Sequence, residues 1–331
     1  MGFAKNVQQK WKKRRKKIMS KKKCSDFEKI CRMPQKTLKK VMCKRLEQQY
    51  EEVICDDGFV FAKGTVPILL VAHMDTVHKE LPQIIEFNNG KISSPQGIGG
   101  DDRCGIYMIS KIIQQHHCSV LFTEDEEIGG VGASKFTHHN CSYGLKFNYI
   151  IELDRKGSKD AVFYECDNPE FEDFITKDGD WKTDWGSYSD ICDVAPALGC
   201  AAVNLSCGYY NAHTLQEYVV FSEMEVNIKK VCKLIERTTE NDAFEYIEAR
   251  SSWKKYGGWS SMLGYEEDYD YAGAQYYFMI TYVDLKGKTD YADYIASSSY
   301  EAIGMFMVEN PELTYNDILD VENFGEDVYS L

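Results

Sequence analysis

Three apolar runs, residues 67–72, Ser119–Thr123 and Phe147–Leu153, each lead to ionisable groups: His73, the adjacent pair Glu126 and Glu127, and Asp154. The spacing after the first two is helical, with Ile106, Ile109, Ile112 and Ile113 on one face of 104–116 and a further helix over Gly130–Thr137. Repetition of strand, ionisable residue and helix predicts an α/β fold, a mainly parallel mixed sheet flanked by helices. Such sheets gather ligands at the carboxyl ends of their strands, where these ionisable residues fall.

Adjacent glutamates alone would be an ordinary solvated face. Their company changes that reading. Leu69-Leu-Val-Ala-His73-Met-Asp75 is followed by Gly99-Gly-Asp101-Asp102-Arg103-Cys-Gly105, then Thr123-Glu-Asp-Glu126-Glu127-Ile-Gly-Gly-Val-Gly-Ala133, then Asp154, then Gly208-Tyr-Tyr-Asn-Ala-His213. Imidazole and carboxylate oxygen suit a borderline ion such as Zn²⁺, and a pair of ions needs one carboxylate able to bridge both.

The order His73, Asp101, Glu127, Asp154, His213, together with these local motifs over residues 65–235, resembles the co-catalytic di-zinc exopeptidase superfamily, which includes peptidase T-like, leucyl aminopeptidase-like and glutamate carboxypeptidase-like enzymes. The resemblance implies two divalent metal ions, zinc first, with Co²⁺ or Mn²⁺ as alternatives. It implies Asp101 as the bridge, His73 and Asp154 on one ion, and Glu127 and His213 on the other. Glu126 becomes the general base, and Asp75 the partner that holds the His73 imidazole in one tautomer. A cis peptide bond between Asp101 and Asp102 is implied too, with Asp102 turned away toward Arg103 or a backbone amide. Tyr209, Tyr210 and Asn211 are candidates for an oxyanion donor, and Ser187, Ser189 and Asp190 for a substrate-binding turn. His78 is a candidate cleft residue, whereas His116, His117, His138 and His139 read as helix-end histidines. Only 59 positions separate Asp154 from His213, too few for the lid domain that many relatives insert there.

Net charge is −13, but residues 1–50 carry +15 and the remainder −28. So acidic a body is a poor match for nucleic-acid phosphate as substrate. Residues 10–23 hold ten basic groups and lack an apolar face, so 1–32 reads as a basic, disordered arm, either a solvated extension or a contact for nucleic acid or an anionic surface. Twelve scattered cysteines without a repeating framework read as thiols that fill the core. With no long apolar span, they place the chain in the cytoplasm, without a membrane span.

The organisation expected is an arm over 1–32, a catalytic domain over 33–239, an acidic Tyr/Gly/Ser-rich linker over 240–275, and a small C-terminal α+β appendage over 276–331. In the appendage, Phe278–Val283 reads as a strand, Ser299–Glu309 as a helix, and Thr314–Asp317 as the capped start of another. The function expected is a metallo-exopeptidase acting on a short peptide substrate, an aminopeptidase in the first instance. The alternatives are an N-acyl amino acid amidohydrolase or carboxypeptidase on the same site, and a non-catalytic metal-binding interaction module. Oligomeric state is not readable from the sequence.

Overall fold

The structure is a computed structural model that describes residues 25–184, 186, 188–248, 276–284, 286–296, 306, 309, 310, 313 and 318–323. Two compact units divide the chain, Met1–Arg250 and Ser251–Leu331.

The strands of the larger unit are β1 (Val53–Asp56), β2 (Phe59–Ala62), β3 (Val66–His73), β4 (Glu86–Asn88), β5 (Lys91–Ser93), β6 (Cys118–Thr123), β7 (Tyr149–Arg155), β8 (Asp160–Val162), β9 (Lys182–Thr183), β10 (Ala202–Ser206), β11 (Tyr209–Tyr210) and β12 (Tyr218–Val220). Its helices are α1 (25–31), α2 (Gln35–Leu46), α3 (Gly100–Ile112), α4 (Val131–His138), α5 (Pro169–Thr176), α6 (Ile191–Leu198) and α7 (Phe221–Arg237). Eight strands form the main sheet in the order β1-β2-β6-β3-β7-β10-β8-β9. The centre, β6-β3-β7-β10, is parallel. Antiparallel pairing joins β2 to β6 and β10 to β8. A smaller sheet, β11-β12-β5-β4, lies beside it in the same unit.

Strand parity explains why the apolar runs are continuous. Along β3, Ile68, Leu70 and Ala72 join a core shared with α3 and α7, while Leu69 and Val71 join a second core shared with α4 and α6. The same alternation divides Val120 and Phe122 from Leu121 on β6, and Ile151 and Leu153 from Ile150 on β7. Each fully buried aliphatic side chain contributes about 1.5–3 kcal/mol, so both faces of the central strands demand a helical cover.

Both expected boundaries of the catalytic unit move outward. Residues 25–31 are helical, and Phe27, Ile30 and Cys31 are buried in the larger core, with the Phe27 ring 5.7 Å from Tyr107 and 6.1 Å from Phe221. The density of lysine before them masks this one apolar turn; residues 1–24 lie outside the described residues. At the other end, Phe244 sits 5.1–6.3 Å from the rings of Tyr149, Phe171 and Phe174, and its N–H donates to Asn148 O. One aromatic plug held by isolated bridges has no periodicity to betray it. Removing residues 1–32 should therefore lower stability by several kcal/mol relative to removing 1–24, and Phe27→Ala alone by about 3–5 kcal/mol. Denaturant midpoints measure both, and equal midpoints for the two truncations would count against the placement of α1.

The cysteine expectation is corrected at one pair. Cys43 on α2 and Cys55 on β1 form a disulfide, their Cα atoms 6.3 Å apart. Cys104, Cys118, Cys141, Cys166, Cys192, Cys200, Cys207 and Cys232 are free, six of these eight buried.

The smaller unit is an antiparallel sheet, β14-β13-β15, made of β13 (Tyr276–Val283), β14 (Thr289–Ala296) and β15 (Ile318–Asn323). Phe278, Ile280, Tyr294, Phe306 and Leu313 form its core. Thr314–Asp317 and most of Ser299–Glu309 lie outside the described residues. Immediately after Asp317 the chain forms strand β15 rather than the expected helix, because pairing with β13 outweighs a local capping signal.

Candidate metal centre

The site lies where the fold should put it. β3 ends at His73, the loop after β6 carries Glu126 and Glu127, Asp154 is the penultimate residue of β7, and the loop between β11 and β12 brings in His213. Asp101 enters from the first turn of α3, where the Asp101–Asp102 peptide bond is cis and neither residue has helical dihedrals.

Asp101 stands between the two imidazoles, its Oδ1 3.2 Å from His73 Nε2 and its Oδ2 3.3 Å from His213 Nε2. His73 Nε2 also lies 3.5 Å from Asp154 Oδ1, and His213 Nε2 3.0 Å from Glu127 Oε2. Possible ligand atoms of His73, Asp101 and Asp154 fall within 4.8 Å of one another, as do those of Asp101, Glu127 and His213, and those of His73, Glu126 and Glu127. Asp101 is common to the first two groups. His213 holds its place with a left-handed backbone, φ 63°, and is half exposed, whereas His73 is buried.

Buried polar neighbours fix these groups. The Asp75 carboxylate lies 3.1 Å from His73 Nδ1 and accepts the backbone N–H groups of Glu126 and Glu127 at 3.1 and 3.0 Å. Asn204 pairs with the Asp154 backbone, and Ser189 Oγ sits between Glu152 and Asp154. The Tyr209 hydroxyl reaches Asp154 at 3.0 and 3.2 Å. Glu217 accepts the N–H groups of Gly99 (2.8 Å) and Asp101 (2.9 Å), and its Oε2 lies 2.8 Å from His78 Nε2. Asp102 turns inward and accepts the Gly105 N–H at 2.8 Å. Gly105 is obligatory there, since a Cβ would lie 1.9 Å from Leu153 O.

The donor set fits cations. With its Nδ1 engaged by Asp75, a neutral His73 would turn the Nε2 lone pair onto two carboxylate oxygens, which is repulsive unless a positive charge lies between them. Burial and the charge of Asp101 push Asp154 up to about 7. Burial also lifts Glu126 well above the carboxylate range; His73 pulls it down, and Asp154, Asp190 and Glu127 add to the rise. Although desolvation opposes it, the Asp101 and Glu127 hydrogen bonds push His213 up to about 11. Glu127 Oε1 is buried without a partner. Carboxylates this crowded ionise together only around cations.

Some expected roles do not survive the geometry. The Tyr209 hydroxyl is engaged by Asp154, Tyr210 donates to Glu223 at 2.6 Å and Asn211 to Gln216 O at 3.4 Å, so none of the three is poised as a free oxyanion donor. Ser189 and Asp190 are fully buried beneath the site rather than in a substrate-binding turn, and Ser187 lies outside the described residues. His78 supports Glu217 instead of lining the cleft. His116, His117, His138 and His139 belong to none of the ligand groups.

Glu217, Asn204 and Glu152 were missed by sequence reasoning. For Glu152 a signal existed, since it lies two residues before Asp154 and so on the same face of β7. Glu217→Gln should weaken divalent-ion binding about 10- to 100-fold, because the carboxamide keeps one acceptor oxygen and turns an N–H₂ toward the donating backbone amide of either Gly99 or Asp101. Titration with zinc measures this, and unchanged affinity would remove Glu217 from the positioning of Asp101.

Comparison with solved structures places this arrangement in a known fold. Aminopeptidase PepT from Bacillus cereus superposes with a TM-score of 0.54 at 15% identity, covering 65% of this chain and 97% of that one. A tripeptidase from Staphylococcus aureus gives 0.54 at 13% identity, with the same coverage of each chain. No family profile and no curated protein matches the sequence. The chain has the zinc exopeptidase α/β fold that its motifs lead one to expect.

Proposed function

We propose that this protein is a metallo-exopeptidase that hydrolyses short peptides, in the first instance as an aminopeptidase, using two divalent ions with zinc the first choice. The observation that carries the reading is that both oxygens of Asp101 face imidazoles, one beside Asp154 and the other beside Glu127, with Glu126 next to them. His73 and Asp154 would hold one ion, Glu127 and His213 the other, and Asp101 both. Bound there, the ions supply Lewis-acid polarisation of the scissile carbonyl and a lowered pKa for the attacking water.

The protein's own residues do the rest. Asp75 orients His73 and, through two backbone amides, the loop that carries Glu126. Glu126 accepts the proton of the attacking water and returns it to the nitrogen of the leaving amine, acting as base and then as acid. The burial that raises its carboxyl favours this exchange near neutral pH, while the cations would draw it back toward the ionised form. Carboxylates and tyrosines line a cavity of about 490 Å³, room for a short peptide.

A purely structural metal module would need ligands but no base beside them, so Glu126 argues for catalysis. Eight free thiols among the described residues fit the cytoplasm, with the Cys43–Cys55 disulfide as the observation against it. Among the described residues no helix is long and apolar enough to cross a membrane. Zinc-reconstituted protein presented with short peptides and N-acyl amino acids tests the reading, and hydrolysis of neither would overturn it.

A further inference from the structure

The charges that line the cavity are unevenly committed. Its four acids, Asp101, Glu126, Glu127 and Asp154, all belong to the metal and base set proposed above. Among the described lining residues, none is left to receive the α-ammonium group of a substrate. The positive side differs. Arg155 is held by Asp184 at 2.7 Å and Asp160 at 3.8 Å, but Lys156 is exposed, makes no ion pair among the described residues and exerts only a weaker, longer-range pull on Asp160.

Hydrogen bonds hold the backbone around Lys156, while its side chain is exposed. Ser206 Oγ donates to Lys156 O at 2.7 Å, the Gly157 N–H donates to Tyr209 O at 2.8 Å, and the Gly208 N–H donates to Gly157 O at 2.7 Å. These bonds fix the backbone from which the Lys156 side chain springs, two residues beyond Asp154, on the wall of the same cavity.

We infer that Lys156 is a specificity-determining residue that binds an α-carboxylate on the leaving residue, so that the preferred substrates are dipeptides or N-acyl amino acids. The inference rests on the exopeptidase reading and narrows it. A compact ammonium at the end of a flexible stem suits a terminal carboxylate, and every other charge at the site repels one or is already occupied. Larger peptides without a carboxylate at that position gain nothing from it.

The test pairs dipeptides with their C-terminal amides on the zinc-loaded full chain. An exposed ion pair would give only a few-fold preference, and a desolvated charged hydrogen bond up to about a hundredfold; we expect about tenfold in kcat/KM in favour of the free acid, expressed mainly in KM. Lys156→Ala should abolish that preference while leaving amide hydrolysis unchanged, and Lys156→Arg should largely keep it. Equal hydrolysis of acid and amide, or a preference that survives Lys156→Ala, overturns the inference but leaves the exopeptidase reading standing. Should neither substrate be hydrolysed, the exopeptidase reading fails and binding still decides. Calorimetry with N-acetylalanine should then show about tenfold tighter binding to the wild type than to Lys156→Ala, and equal affinity overturns the assignment.

Discussion

Glu126→Gln lowers peptide hydrolysis by about 10²-fold or more and leaves divalent-ion binding intact. The substitution keeps the shape of the side chain and removes only its capacity to take up a proton. Glu127→Gln acts differently, because Glu127 faces His213 at 3.0 Å and has an unpartnered buried oxygen, so its loss weakens metal binding itself. The two positions are adjacent in the chain, yet the Asp75 carboxylate holds each amide with a separate oxygen and so fixes the two residues independently. Rate measurements beside zinc titrations of both variants separate the roles. Interchangeable behaviour of the two would falsify the division between base and ligand.

The second large effect concerns stoichiometry. The wild-type chain should bind two divalent ions, and His73→Ala or His213→Ala should reduce that number to one or fewer, with activity lost in parallel. His73→Ala should be the more severe. It leaves the buried Asp75 and Asp101, with the largely covered Asp154, around an empty position, whereas His213 is half exposed and water can replace part of what it supplies. Loss of a direct ligand should cost more than the 10- to 100-fold typical of a supporting residue. Equilibrium dialysis followed by metal analysis gives the count, and no more than one ion on the wild type at saturating zinc would sink the two-ion reading.

The residues that reach the site were legible because their chemistry stands out against their surroundings. An imidazole or carboxylate at the end of a strand buried on both faces has few structural reasons to be there, as His73 after β3 and Asp154 on β7 illustrate. The glycines around Asp101 marked the turn into α3, and the cis bond lies where the resemblance put it. The supporting residues were not legible. Glu217 is a generic polar residue until its carboxylate meets the amide of Asp101, 116 positions earlier. Asn204 and Ser189 likewise acquire meaning only from partners 50 and 35 positions away. The limits of the body failed for a related reason, since single apolar turns such as Phe27 to Cys31, or a lone ring such as Phe244, are too short to show a period.

Asp75 leaves the chain almost no freedom to vary at that position. Asparagine there would present a hydrogen-bond donor to at least one group that itself donates, and glutamate would reach one carbon too far between elements fixed by the sheet. Neither near-isostere can serve an imidazole and two main-chain amides together. Any descendant of this sequence that drifts at position 75 must therefore rebuild the end of β3 and the loop after β6 in concert, or abandon the chemistry while keeping the fold.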